Sequence, residues 1–387
     1  MTTTPNAYEK NARTPRAIVT INGTRIKWDD LTMDSTTFYL ADTFHVEFPI
    51  NGQDNMFSLD YWASTETFLV KIYIGFPADP DSYTTEDLEL MIQGNADDIR
   101  VDLGRAQIEI SGRDLASSFL DNKTTEKFSN QTSSQIIEMF AKQYSLKTRV
   151  KPTSTLVGSY YSQQQVMLSS EITQWDLMVF LAQQEDYVLF IEGDTLVFEP
   201  RPTDQDVRDP YVINYSPATP DNGSPSINAI NCSFSRSMTL AADAKVTVRV
   251  PYGSKTGKAF SVFAQTKRKS KKENKDSKNS SKKVQQYSFS KPGLTQEQAL
   301  KFAQQRLREI TLHEIKINFS APGLNSLKKD SLIQLKGTNT TIDQYYYSDQ
   351  VSRTINMSDS GYTMSISAKN HSVDSQVSPD KSPVSPD

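Results

Sequence analysis

The 387-residue chain contains one cysteine, Cys232, so no disulfide forms within it and no cysteine zinc cluster assembles. Histidine is nearly as scarce: His45, His313 and His371 lie far apart, which gives no metal-pair spacing. Hydrophobic residues make up 36% of the chain, below the ~45–50% apolar share of an ordinary soluble domain. The longest apolar runs, such as 177–182, fall far short of the ~18 residues that span a bilayer. The opening MTTTPNAYEKNARTPR has no apolar core of the signal-peptide kind. An excess of either charge is also missing. With 42 basic and 46 acidic residues the net is −4, which excludes a globally basic nucleic-acid coat and gives no reason to expect an acidic membrane partner. These absences predict a soluble chain made in a reducing compartment. The length predicts two to four domains. The low apolar share predicts small domains, or an extended subunit that buries its remaining apolar area against other subunits.

What is present is mostly strand-like. Residues 17–28 are broken by Asn22-Gly23, a dipeptide suited to a tight hairpin turn. Alternating runs follow at 37–49, 67–74, 88–93 and 99–110. Five runs at near-regular spacing in the first 110 residues predict a small β-barrel or sandwich. The period then changes. Asp114 is placed to cap a short helix over 115–120. Ile136, Phe140 and Tyr144 fall four apart and form one stripe of a helix starting at Ser133. Thr173 and Asp176 make an acidic capping box for a further helix, with Trp175, Met178 and Ala182 on its apolar face. Residues 187–191 and 195–198 around Gly193-Asp194 read as a hairpin.

Beyond a Pro-rich connector at 201–226, strand patterns return at 227–235 and 244–250. Thr295 and Gln298 form a capping box for a helix over about 295–312, with Ala299, Ala303, Arg306 and Ile310 near one face. Strands are predicted at 315–320, 331–336, 345–355 and 362–368. The tail 371–387 repeats Val-Ser-Pro-Asp and is too polar to order itself. The expected fold is mainly β with an α+β insertion: two β-barrel-like modules plus a small helix-hairpin domain. Its divisions are 1–111, an N-terminal barrel module; 112–200, the inserted α+β domain; 201–226, the connector; 227–370, a second barrel module with the helix and a basic loop at 266–284; and 371–387, a disordered tail.

No enzyme signature stands out. Gly253-Ser-Lys-Thr-Gly257-Lys258 imitates a phosphate loop, but Tyr252 and Ala259 occupy the positions that need glycine and a hydroxyl residue. It reads as a hairpin turn. Cys232 has no nucleophile-type surroundings and reads as a small buried hydrophobe. Asp29-Asp30, Glu86-Asp87 and Asp97-Asp98 read as solvated turns rather than a carboxylate pair for glycoside hydrolysis. The run 267–283 carries nine Lys or Arg against two acids, a local +7, with no aromatic among them for base stacking. It reads as a solvated loop; the alternative is a loop attracting phosphate or an acidic partner, binding without sequence preference and weakening with salt. No catalytic, cofactor-binding or metal residue is assigned.

The order of segments resembles a family. Ile108-Glu-Ile-Ser-Gly-Arg-Asp-Leu115 with Phe119-Leu-Asp121 is similar to the strand and GRD boundary of phage tail baseplate hub proteins of the late control protein D type. Residues 134–146 are similar to the first helix of that family's inserted domain. Trp175 to Ala182 followed by 187–198 is similar to its helix and hairpin, and 330–335, 345–353 and Gly361-Tyr362 to its closing strands. The Gly112-Arg113-Asp114 triplet has a physical reading of its own: a sharp strand exit, a base able to pair with a nearby acid, and a helix cap.

The resemblance implies a homotrimer in the virion tail baseplate, assembled in the host cytoplasm. Two related barrel modules per chain would give six similar faces to the hexameric tail tube. It implies as partners the tube protein, a separate spike protein, the tape measure protein and other baseplate proteins, with DNA only in transit and no cofactor. The absence of needle repeats before residue 387 predicts a spike on another polypeptide. The alternatives are the hub of a type VI secretion or other contractile injection system, and a cell-wall hydrolase at a tail tip. The duplication comes from the resemblance alone; no internal repeat is apparent from spacing.

Overall fold

The computed structural model describes residues 14–37, 39–54, 56–124, 128, 130–154, 156–157, 172–200, 209–220, 223–237, 244–251, 258–265, 285–311, 315–329, 331–340, 342–356 and 361–370. The first stretch forms β1 (Arg16–Ile21), β2 (Thr24–Ile26), β3 (Asp30–Thr36), β4 (Thr43–Pro49), α1 (Leu59–Ser64), β5 (Leu69–Gly75), β6 (Glu89–Asp102) and β7 (Gln107–Asp114). Next come α2 (Ala116–Asp121), β8 (Lys123–Thr124), α3 (Ser133–Gln143), β9 (Lys147–Val150), β10 (Ile172–Thr173), α4 (Gln174–Glu185), β11 (Tyr187–Glu192) and β12 (Thr195–Pro200). The remainder forms β13 (Tyr211–Ser216), β14 (Ser226–Ile227), β15 (Ile230–Arg236), β16 (Ala244–Val250), β17 (Phe260–Gln265), β18 (Gln285–Ser290), α5 (Gln296–Thr311), β19 (Ile315–Pro322), β20 (Leu332–Lys336), β21 (Tyr345–Asn356) and β22 (Gly361–Asn370). The chain is mainly β with an α+β insertion, as its alternation and capping signals imply.

Local chemistry explains most elements. Asn22 and Gly23 both take positive φ, 49° and 86°, which joins β1 to β2 in two residues. In β7 every second residue from Ile108 is buried, and β4 and β19 alternate in the same way. Thr132 and Gln135 close a capping box on α3. Thr173 Oγ1 accepts from the Asp176 amide at 3.0 Å, opening α4.

Three sequence expectations change. The runs at 88–93 and 99–110 are not two strands with a gap before 99: β6 continues through 14 residues, and the turn falls at 103–106. Asp30 opens β3 rather than sitting in a solvated turn, and its Oδ2 accepts from Asn356 Nδ2 at 2.9 Å. Within the stretch read as connector, Tyr211–Ser216 forms β13, whose Ile213 is fully buried. Residues 253–257 of the phosphate-loop imitation, the basic run 267–283, His313, His371 and the tail 371–387 lie outside the described residues.

The large sheet has fourteen strands, and its path carries a repetition. The first half runs β3-β4-β7-β6-β5-β1-β2. The second runs β15-β19-β22-β21-β20-β13-β14. Numbered within each half, and leaving out β16–β18, both orders read 3-4-7-6-5-1-2. All corresponding pairs are antiparallel except one: β1 pairs β5 antiparallel, whereas β13 pairs β20 in parallel. The halves join where residues 350–356 of β21 pair with β3.

Residues also match. A bulge interrupts β6 at Ala96/Asp98 and β21 at Ser348/Gln350, each opposite the same point of the following strand. Aligning the bulges superposes Ile110-Ser-Gly-Arg-Asp114 on Ile366-Ser-Ala-Lys-Asn370, and the ends of β4 and β19 at Pro49 and Pro322. The bulged acid pairs with the facing base in both halves: Asp97 with Arg113 at 2.7 Å, and Asp349 with Lys369 at 2.5 Å.

No sheet closes into a separate barrel in the described strand order. One core, from Ala17 to Ala368, runs under both halves. Residues 116–198 hold a second core centred on Phe119, Phe140, Trp175 and Phe198. A third lies between α5 and the small sheet β17-β16-β18, where Ala299, Ala303 and Leu307 meet Val246 and Val248.

Candidate functional site

The end of β7 is where the sheet hands over to the inserted α+β unit, and charged side chains gather there. Gly112 does not let the chain leave the strand, as the triplet suggested; it lies inside β7. A Cβ there would sit 2.2 Å from Asn95 O and 2.6 Å from the Phe44 ring, so glycine permits the close approach of β6. Arg113 forks onto Asp97 at 2.7 and 2.8 Å and reaches Asp121 of α2 at 3.3 Å. These acids hold the guanidinium well above its ordinary pKa, led by the Asp97 hydrogen bond. The pairing expected of Arg113 is present, and Asp97 is a bulge residue rather than a solvated turn.

Asp114 is buried, and its Oδ1 accepts from the Ala116 amide at 2.9 Å. Burial pushes its carboxyl up to about 7; the Asp42 charge adds to this and Lys329 opposes it. Lys329 Nζ lies 2.9 Å from both Asp42 oxygens and 4.7 Å from the Phe190 ring centroid. Its neighbour Lys328 bridges Glu192 at 2.6 Å and Glu89 at 2.9 Å. Two adjacent lysines from the loop before β20 therefore tie together the first half of the sheet and the β11–β12 hairpin. The unit is also held by Trp175, whose Nε1 donates to Tyr39 O at 2.7 Å, and by Tyr39, whose hydroxyl donates to Tyr187 O at 2.9 Å. Sequence reasoning missed Lys328, Lys329 and Asp42, because their only signal is spatial.

Two shallow clefts occupy corresponding places in the two halves. The first, about 300 Å³, is lined by His45, Asp98, Ser111 and Arg113 among others; the second, about 240 Å³, by Asn318, Gln350 and Ser367. His45, Asp98 and Ser111 align with Asn318, Gln350 and Ser367. His45 Nε2 lies 3.3 Å from Glu47. Cys232 is half-buried in β15, and burial raises its thiol pKa, the opposite of what activates a nucleophile. Among the described residues no group of three or more His, Cys, Asp or Glu is placed to hold a metal, and no helix is long and apolar enough to cross a membrane. The geometry is that of a joint between the large sheet and the inserted unit.

Residues 104–369 match the family described as YQBQ-like. No curated protein matches the sequence. Among solved structures, the tail protein from Neisseria meningitidis superposes with a TM-score of 0.63 at 13% identity, covering 93% of this chain and 98% of that one. The 43 kDa tail protein of prophage MuSo2 from Shewanella oneidensis gives 0.59 at 15% identity, covering 92% and 98%. Prophage tail protein gp18 from Listeria monocytogenes gives 0.52 at 12% identity, covering 92% and 95%. At these identities the likeness is one of fold.

Proposed function

The chain belongs to the YQBQ-like family, and from that premise we propose that it is the structural baseplate hub of a phage tail. In this reading it is a homotrimer that joins the hexameric tail tube to a separate central spike. It encloses the channel for tape measure protein and DNA, and it catalyses nothing. Its place is the baseplate of the virion tail, assembled in the host cytoplasm among other baseplate proteins.

The observation that carries the proposal is the repeated strand order with its repeated bulge and ion pair. A chain with two like units supplies six like units when three copies form a ring, which reconciles threefold and sixfold neighbours. The fold shared with tail proteins supports the same reading. The unit over 112–200, clamped by Arg113, Lys328 and Lys329, would then be held rigidly outside the ring and present a surface to the surrounding baseplate.

The test is light scattering of the purified chain, followed by electron microscopy with co-expressed tube and spike proteins. The expected result is a mass three times the chain's 43.6 kDa and a ring at the tube end. A monomer at all concentrations, with no ring beside its partners, refutes the proposal, and clearing of peptidoglycan by the pure protein refutes its non-catalytic part.

A further inference from the structure

The seam inside the chain is asymmetric. Strand β21 has β22 along one edge, and its other edge is divided: 345–347 pair with β20, whereas 350–356 pair with β3. The sixth strand of the second half thus takes the third strand of the first half as a neighbour. The counterpart of β21 is β6, and it is divided at the corresponding place. Residues 89–95 pair with β5, while 98–102 have β7 on one side and, among the described residues, no strand on the other. The counterpart of β3 is β15. It pairs with β19 on one side, and among the described residues no strand lies on its other side. Among the described residues, two edges of the same two kinds that meet at the chain's own seam thus have no neighbouring strand.

Exposure at aligned positions tells the same story. Met33 in β3 is 2% exposed, and its counterpart Phe234 in β15 is 54% exposed. In the sixth strand of the second half, Val351 is fully buried and Ile355 nearly so; their counterparts are Ile99 of β6, half-buried, and Leu103, the first residue of the turn after β6, 70% exposed. Ile230, also on β15, is 53% exposed. β15 carries no proline and no lysine, two of the devices that usually keep a free edge from pairing. An apolar edge without them is shaped to receive a strand.

We infer that β15 of one copy pairs antiparallel with residues 98–102 of a second copy of this chain, in the register of the internal seam. At that seam Arg353 faces Met33, Thr354 faces Thr32 and Val351 faces Ser35. Translated through the aligned bulges, Val101 faces Phe234, Asp102 faces Ser233 and Ile99 faces Arg236. The Val101–Phe234 pair covers the most exposed large hydrophobic side chain of β15 with a β-branched partner. The contact is head-to-tail: each copy offers β15 to one neighbour and β6 to the other, so it closes only as a ring. This inference rests on the hub reading for the number of copies and adds to it the strand pair that joins them.

Directly opposed residues on antiparallel strands have Cα atoms about 4.5–5.5 Å apart, within reach of a disulfide. In a Cys232→Ser background the full-length chain has no other cysteine. Val101→Cys and Phe234→Cys, prepared separately and mixed under mild oxidation, are expected to give a two-chain product. Either alone, or Val101→Cys mixed with Glu86→Cys, should give at least about tenfold less. One chain carrying both substitutions is expected to yield covalent three-chain rings. Phe234→Asp should weaken association by at least about tenfold while leaving the circular dichroism and melting temperature of the separated chain unchanged. If light scattering gives a trimer but the cross-link does not exceed the control, or Phe234→Asp associates like the parent, the pairing is wrong and the hub reading survives. A chain that stays monomeric at every concentration, without the cross-link, overturns both.

Discussion

The two halves of the large sheet share strand order, bulge and ion pair, yet they treat the ion pair differently. In the second half, Asp349 and Lys369 are each about 9% exposed; in the first, Arg113 and Asp97 are 31% and 35% exposed. The cause is the seam. The carbonyl of bulged Asp349 accepts from the amide of Thr37, just beyond β3, at 3.0 Å, so the end of β3 seals that bulge from water. No corresponding strand seals Asp97 among the described residues. A motif present twice has become a buried strut in one place and an open clasp in the other, where it also grips Asp121 of α2.

The largest expected difference follows from that burial. Lys369→Met leaves Asp349 buried without its partner and should cost about 3–5 kcal/mol in chemical denaturation. Arg113→Met, at the half-open pair, should cost about 1 kcal/mol. Equal losses at the two sites would break the comparison.

Next in size is the position before the base, Gly112 in the first half and Ala368 in the second. Gly112→Ala drives a methyl group against the Asn95 carbonyl, a backbone atom with little room to yield, and should cost about 2 kcal/mol or more. Ala368→Gly removes a buried methyl group and loosens the strand, at about 1 kcal/mol. Thermal melts of the two variants measure the contrast directly.

A pH-dependent effect, small near pH 4, sharpens the comparison at the residue after the base, Asp114 against Asn370. Asn370 Oδ1 accepts from the Ile315 amide at 3.0 Å without carrying charge. Asp114 titrates near 7 in the folded chain, above its ordinary 3.8. The folded state therefore holds a proton that the unfolded state has released between about pH 4 and 7, and this group makes stability fall as pH rises through that window. Asp114→Asn removes that contribution while keeping an oxygen for the Ala116 amide. Relative to the parent, the variant should gain stability from pH 4 to 7, by up to about 1.4 kcal/mol per pH unit, and hold the gain above 7. A constant difference across the range would mean that Asp114 does not titrate there.

Local chemistry made much of the fold legible. The Asn22-Gly23 turn, the capping of α4 by Thr173, the apolar face of α4 and the β11–β12 hairpin all follow from residues within a turn or two of each other. β3 was hidden because Asp29-Asp30 imitates a turn, and β13 because prolines flank it. The joint was half visible. Arg113 and Asp114 stand in a motif, but Asp42 and Lys329 meet across 287 positions of sequence, and neither stands out locally. The duplication did have a signal: Ile110-Ser-Gly-Arg-Asp114 against Ile366-Ser-Ala-Lys-Asn370. Five residues, of which only the first two are identical, become convincing once the bulges fix their alignment.

By itself the amino-acid order determined which segments become strands and helices and which faces they bury, because alternation, capping and turn chemistry act between near neighbours. Which strand lies beside which was decided only by the tertiary structure. An alternating strand presents the same apolar face to any partner of suitable register, so nothing in residues 30–36 alone names 350–356 as their neighbours. The burial of one ion pair, the exposure of its twin and the two edges left for another copy all follow from that long-range choice.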